Sequence, residues 1–415
     1  MLLKAIKTVF ENHHFYGEQM SLDKYKTNPK SWIFVSLSVI ILSIFTACGA
    51  GDKDQFELNG TASGLDGKTA YLCYYKDRNV ADTLGSVVIK DGEFYISGKI
   101  PYPTFVYLQV TAAELNYYTS FWLMPGEEKI SIDTAHVDQH RSRGNYVTLI
   151  PEVKGSKEQE LYESLQEKLN LARTDLDETF AKFQSEDNEA EKAKLEEKID
   201  SLRADFTYKN DSLTMNFAKE NNSSFVSSQV MESLMNDYYH SVDDLEEVMN
   251  GFSEEVKQSN SYKKNAEALA ILKRVKPGQP ALDFTLKNPE GQDISLSSLN
   301  GKVVLIDFWA SWCVPCIASV PGMIEIYNKY NSQGFEILGV SNDRNKDQWL
   351  KAIEVNNMPW LNVVDRFPDS TGPAEVIKSY GIGFIPYTIL LDKEGVIVAK
   401  NLHGKELEEA IKKIL

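Results

Sequence analysis

Cysteine and histidine are scarce in this chain: four Cys and six His among 415 residues. A disulfide-stapled scaffold needs cysteine at far higher density, so folding must rest on apolar cores, for which the length is ample. Structural zinc needs four thiolate or imidazole ligands, most simply two close Cys pairs. Only Cys313 and Cys316 are close, and Cys48 and Cys73 stand far upstream. Basic charge is lacking too. With 44 Lys plus Arg against 60 Asp plus Glu, a net charge of −16 and a pI near 5.0, the chain has no footprint for nucleic acid. No G-x-x-x-x-G-K or G-x-G-x-x-G phosphate loop and no internal repeat occurs. The apolar run from Trp32 to Ala47 falls short of the roughly 20 residues that span a bilayer.

That run has an address-like character instead. Lys24, Lys26 and Lys30 precede it, and it ends in Phe45-Thr46-Ala47-Cys48-Gly49, which resembles a bacterial lipobox. The expectation is a signal peptide over 1–47, with Met20 the more conventional start because residues 1–18 lack a basic bias. Cys48 is then the lipidated first residue, with a linker over 48–55. The competing reading is an uncleaved anchor. Several acyl chains on one Cys give stable attachment, which places the rest in an oxidising envelope compartment, facing the periplasm.

Trp312-Cys313-Val314-Pro315-Cys316 puts two thiols two residues apart, just after the apolar strand Val303 to Trp309 and at the start of a helix. A Cys there faces unpaired backbone N–H groups and the positive end of the helix dipole, both of which favour the thiolate. The second thiol can close a small disulfide and expel whatever the first has bound. Cys313 is expected to lie exposed as the nucleophile and Cys316 one turn inward as the resolving thiol. The alternatives are half of a zinc site, which lacks its second pair, and a static disulfide, which across so short a loop stabilises little.

In Leu305-Ile306-Asp307-Phe308-Trp309-Ala310-Ser311-Trp312-Cys313 and Gly383-Phe384-Ile385-Pro386 the chain resembles the thioredoxin family. Pro277 to Leu286 is similar to its extracytoplasmic TlpA/ResA-like branch. The resemblance implies an α/β thioredoxin fold, a cis bond before Pro386 facing the sulfurs, and a buried carboxylate at Asp307 that carries protons for Cys316. On the residues alone, Pro386 could be an ordinary trans proline at a strand start and Asp307 a strand-edge partner. Trp312, Val314, Pro315 and Ile385 are the expected substrate-binding residues, whereas Trp309 reads as core. One position departs from the branch. A Glu usually stands three residues after the second Cys, and here Ser319 does.

Residues 56–153 alternate apolar and polar positions between turn pairs such as Asp91-Gly92 and Pro125-Gly126. They predict an antiparallel β-sandwich-like domain, similar to the small β-domain fused before thioredoxin domains in envelope lipoproteins. Its aromatics, Tyr71, Tyr74, Tyr75, Tyr117, Tyr118, Phe121 and Trp122, read as core, and Cys73 as a buried free thiol. Residues 154–275 predict helices: a hairpin split by the charged stretch Ser185 to Lys194, then shorter helices including Ser223 to Tyr239, with a dimer seam as one use of the region. Residues 276–415 form the redox domain.

The expected protein is a membrane-tethered thiol:disulfide oxidoreductase acting on dithiols and disulfides of envelope proteins, fed by an upstream membrane electron donor. It needs no metal and no cofactor beyond its redox-active disulfide. Two other readings stand beside it: a binding or scaffold lipoprotein with an accessory thioredoxin domain, and a peroxiredoxin-like peroxidase.

Overall fold

The computed structural model describes residues 53–77, 80–112, 114–235, 240–365 and 374–415. The apolar run 32–47 and Cys48 lie outside the described residues. Among the described residues no helix is long and apolar enough to cross a membrane.

Strands β1 (Gln55–Ser63), β2 (Thr69–Asp77), β3 (Val80–Val88), β4 (Glu93–Lys99), β5 (Thr104–Thr111), β6 (Asn116–Leu123), β7 (Gly126–Asp133), β8 (Val137–Arg143), β9 (Tyr146–Leu149) and β10 (Glu152–Lys154) form two sheets. One has the order β10-β7-β1-β4 and the other β3-β2-β5-β6-β9-β8. Phe56, Leu58, Phe94, Leu72, Leu108 and Phe121 meet between them in one apolar core. Two pairings depart from the antiparallel expectation: β1 with β7 and β6 with β9 run parallel. Side-chain alternation is the same in both kinds of ladder, and a parallel pair needs only a long crossover, which strands of the opposite sheet supply.

The aromatic residues divide by that alternation. Phe121 fills the sandwich, but Trp122, next in β6, points the other way and enters a second core with Leu165, Met215, Phe225 and Leu245. Tyr71 and Tyr75 are exposed rather than core. Cys73 is half-buried, its thiol 3.6 Å from the Tyr107 carbonyl oxygen, and burial pushes its pKa up.

The second core belongs to helices α1 (Lys157–Ser185), α2 (Glu189–Glu220), α3 (Phe225–Val230), α4 (Val242–Gly251) and α5 (Asn260–Arg274). The charged stretch expected to separate the hairpin is itself mostly helix. Asn188 accepts the backbone N–H groups of Ala190 and Glu191 and so starts α2 almost at once, with Glu189 and Glu191 favourably placed in its first turn. Beyond Val230 the chain continues as a 3₁₀ turn to Leu234, and 236–239 lie outside the described residues. The Gln159 side-chain oxygen accepts the Trp122 backbone N–H at 3.0 Å, tying α1 to the sheet.

The remaining chain alternates: β11 (Thr285–Lys287), β12 (Asp293–Ser295), β13 (Val303–Trp309), α6 (Val314–Tyr330), β14 (Phe335–Ser341), α7 (Lys346–Val355), β15 (Leu361–Val364), α8 (Glu375–Ser379), β16 (Tyr387–Leu391), β17 (Ile397–Lys400) and α9 (Gly404–Ile414). One sheet results, with the order β12-β11-β15-β14-β13-β16-β17. Every residue of β13, β14 and β16 is buried. That is what mostly apolar runs require, since both faces of the sheet are covered. Leu305, Trp309 and Ile337 pack under α6 and α9; Ile306, Phe308 and Leu338 pack against Leu299 and Tyr380.

Trp122 joins the β-sheets to the helical region, so its truncation should loosen that joint selectively. Trp122→Ala is expected to cost about 3–5 kcal/mol, as for other large buried aromatics. Hydrogen exchange should rise in α1 and β6 while the amides of β13 stay protected. Equal loss of protection in β13 would mean that the chain unfolds as one unit.

Candidate active site

β13 delivers its last residues to a short turn, Ala310 to Cys313, closed by the Cys313 N–H on the Ala310 carbonyl at 3.1 Å. Cys313 is the N-cap of α6, in extended conformation, and its sulfur accepts the Cys316 backbone N–H at 3.3 Å. Pro315 costs no hydrogen bond there, because the N–H groups of a first helical turn have no partner within the helix. Cys313 and Cys316 are joined in a disulfide with Cα atoms 5.3 Å apart.

One expectation about the thiols fails. Cys313 is not exposed: it is 5 % accessible, and Cys316 4 %. Both sit in the core cluster that also holds Trp309, Val320 and Trp360. What distinguishes Cys313 is its position at the helix end, where backbone N–H groups converge, and not its access to water. The exposed surface belongs to its neighbours. Trp312 is 54 % accessible, Val314 45 %, and Pro315 is exposed as well.

The bond between Ile385 and Pro386 is cis. Ile385 packs against the same cluster as the two cysteines, and Phe384 before it is exposed with its ring edge-on to Tyr387. Phe384 belongs to the loop motif Gly383-Phe384-Ile385-Pro386. The signal that could have singled it out is a large apolar residue in a loop otherwise made of glycine and a strand start.

Asp307 lies between Leu305 and Trp309, so strand alternation puts it on the α6 face of the sheet. It is paired in register with Gly339 on one side and Thr388 on the other. A Cβ on Gly339 would stand 2.5 Å from the Asn362 side-chain oxygen, so a larger residue there would have to displace that side chain. Among the described residues nothing donates a hydrogen bond to the Asp307 carboxyl. Burial alone pushes its pKa up to about 7.

Two further features concern the turn itself. Ser319 donates its hydroxyl back to the Cys316 carbonyl at 2.8 Å, so the residue that replaces the branch's Glu is turned onto its own helix. Ser311 is held by Asp343, a buried residue just beyond β14. The Ser311 N–H and hydroxyl reach the two carboxylate oxygens at 2.9 and 2.6 Å. Nothing in the sequence marked Asp343, which reads as a polar residue leading into α7.

The AhpC/TSA family matches residues 277–400, and a domain of unknown function, DUF4369, matches 56–162. Thiol-disulfide oxidoreductase ResA of Geobacillus thermodenitrificans is 37 % identical over 138 residues, 33 % of this chain and 75 % of that protein. The chain belongs to the thiol-disulfide oxidoreductases of the thioredoxin family. The ResA protein of Bacillus anthracis is 30 % identical over 134 residues, 32 % of this chain and 73 % of the relative. Among solved structures, the thioredoxin domain of a Bacteroides vulgatus thiol-disulfide oxidoreductase is 38 % identical and covers 33 % of this chain and 96 % of its own, with a TM-score of 0.31. A thiol-disulfide oxidoreductase from Bacteroides fragilis is 31 % identical and covers 33 % and 100 %, again with a TM-score of 0.31.

As an enzyme of this family, the oxidoreductase should carry a stability signature of Asp307. The folded state holds that proton up to about pH 7, while the unfolded chain releases it near pH 4. Between those values the folded state binds more protons, so stability falls as pH rises and the loss is complete above the raised pKa. Asp307→Asn should remove its share of this slope, about 4 kcal/mol over the window, and leave that of Glu128, whose carboxyl burial also raises to about 7. Urea melts of the oxidised proteins at pH 4.5 and pH 8 test it. A slope undiminished in Asp307→Asn would place the titrating group elsewhere.

Proposed function

We propose that this protein is a membrane-tethered thiol:disulfide oxidoreductase that reduces, and can reshuffle, disulfides of cell-envelope proteins through Cys313 and Cys316. The observation that carries the reading is the convergence of three things on one end of α6: a disulfide whose first sulfur caps the helix, a cis proline bond beside it, and a buried carboxylate on the sheet face beneath.

In the reduced protein Cys313 is the nucleophile. Its thiolate is favoured by the α6 N-terminus and attacks one sulfur of a substrate disulfide. That S–S bond breaks, a Cys313–substrate disulfide forms, and the departing substrate sulfur takes a proton. Cys316 then gives up its proton, attacks the Cys313 sulfur and releases the second substrate sulfur as a thiol. The substrate gains two electrons and two protons, and the Cys313–Cys316 pair loses them. A dithiol donor at the membrane restores the pair. Asp307, with its pKa near neutrality, takes the Cys316 proton, a role typically worth about 10²- to 10⁴-fold.

Trp312, Val314, Pro315 and Ile385 form the substrate-facing surface, and cis-Pro386 leaves the backbone of Ile385 free to pair with an extended substrate segment. Resemblance to extracytoplasmic relatives supports the envelope location, and the lipobox-like Phe45 to Gly49 supports an anchor at Cys48.

Cys316→Ser should accumulate mixed disulfides with envelope proteins on non-reducing gels, and Cys313→Ser should not. Equal trapping by both variants would overturn the division of labour. A separate measurement concerns the tether. Mass spectrometry of the native N-terminus should find acylated Cys48, and Cys48→Ala should move the protein out of the membrane fraction; an intact segment 32–47 in the mature protein would contradict the anchor.

A further inference from the structure

Asp343 is 1 % accessible and stands directly after β14, the strand beside β13. One of its carboxylate oxygens accepts the Ser311 N–H at 2.9 Å and the Ser341 hydroxyl at 2.8 Å. The other accepts the Ser311 hydroxyl at 2.6 Å. Its own N–H is given to the Ser341 hydroxyl oxygen at 3.0 Å, and the Asn342 N–H reaches the Trp309 carbonyl at 2.9 Å. A complete set of bonds therefore ties the turn Ala310–Cys313 sideways to the end of the neighbouring strand. Among the described residues no Lys, Arg or His lies within ion-pair distance of Asp343, so hydrogen bonds alone compensate its burial.

The turn has few other anchors. Trp312 is exposed, and only the Cys313 N–H closes the turn within itself. Two residues from the reacting sulfur, the hold on Ser311 decides where the first turn of α6 begins. It also sets a buried carboxylate against Ser311, two residues along the chain from the sulfur where negative charge develops. A fixed negative charge in a dry environment disfavours a thiolate nearby and so favours the neutral disulfide over the dithiol.

We propose that Asp343 is the positioning residue of the redox turn, holding Ser311 so that Cys313 caps α6 and keeping the Cys313–Cys316 pair poised as a reductant. The inference rests on the reading that this pair exchanges disulfides. It concerns a residue that acts through Ser311 and does not touch the substrate.

Three readouts on the full chain test it: the dithiol–disulfide equilibrium in glutathione buffers, the rate at which the reduced protein attacks a small aromatic disulfide, and the thermal melt. Asp343→Asn keeps the shape and removes the charge. It should shift the equilibrium about tenfold toward the dithiol, which for a two-electron couple is about 30 mV. Ser311→Ala keeps the charge and removes one of the two links. It should leave the equilibrium within about twofold of wild type and slow the attack about tenfold.

A purely structural Asp343 would lower the melt and move neither the equilibrium nor the attack rate of the folded protein, and that result overturns the proposal. Should Asp343→Asn not fold, Ser311→Ala decides: slowed attack supports the positioning role, and wild-type attack refutes it. A wild-type protein that establishes no dithiol–disulfide equilibrium at all would instead sink the oxidoreductase reading on which the proposal stands.

Discussion

Burial of β13 on both faces is the constraint from which the rest of the redox domain follows. A strand with apolar side chains packed above and below cannot slip by one residue without turning its whole inner set to the wrong side. Its register against β14 and β16 is thereby fixed over its length. Asp307 must then face α6, Trp309 must end in the core under that helix, and the chain must emerge at Ala310 beside the end of β14. The turn to Cys313 inherits its position from this register. Cys313 becomes a helix cap because the strand leaves no other place for the helix to start.

That constraint also explains what could be read from residues alone. The mostly apolar runs Val303 to Trp309 and Ile337 to Val340 announce strands covered on both sides, and Cys-x-x-Cys at the end of such a run announces a dithiol at a helix start. The pairing sense of β1 with β7 and of β6 with β9 was not legible, because alternation is blind to strand direction. The start of α2 at Glu189 was hidden in a stretch that reads as solvated charge until Asn188 is seen to cap it. The low exposure of Cys313 escaped for a different reason. A helix end suggests access to solvent, whereas here Cys313 shares a core cluster with Trp349 and Trp360, which come from elements remote in sequence. Asp343 was invisible on the same ground, since its worth lies in a contact across 32 residues with Ser311.

The helical region meets the redox domain close to the site. Val275, at the end of α5, is buried in the core that holds Phe308 and Tyr380, and the side chains of Ile271 and Leu272 lie against Gly381. Gly381 opens the segment that reaches the cis bond at Pro386. Ion pairs join Lys276 with Asp243 and Lys273 with Glu246 across the helices on this side, but they are largely exposed and contribute little. Apolar contact is what fixes the segment. The helices thus bear on the loop that carries the cis bond before Pro386, while the β-sheets bear on the helices through Trp122.

Asp307 and Asp343 show how one sheet end gives two carboxylates opposite uses. Both are buried; Asp307 lies within β13 and Asp343 just past the end of β14, the two strands that meet at the redox turn. Asp307 has Gly339 and Thr388 beside it in the ladder and no donor to its carboxyl among the described residues, so desolvation dominates and the proton is retained to about neutral pH. Asp343 has three donors aimed at its two oxygens. Hydrogen bonds given to the charged form offset the cost of taking it out of water, and they hold the donors in place in return. A carboxyl without donors is suited to carry a proton, and a carboxylate with a full set is suited to hold geometry. The distribution of serines settles which is which: Ser311 and Ser341 flank Asp343, while the neighbours of Asp307 offer it nothing.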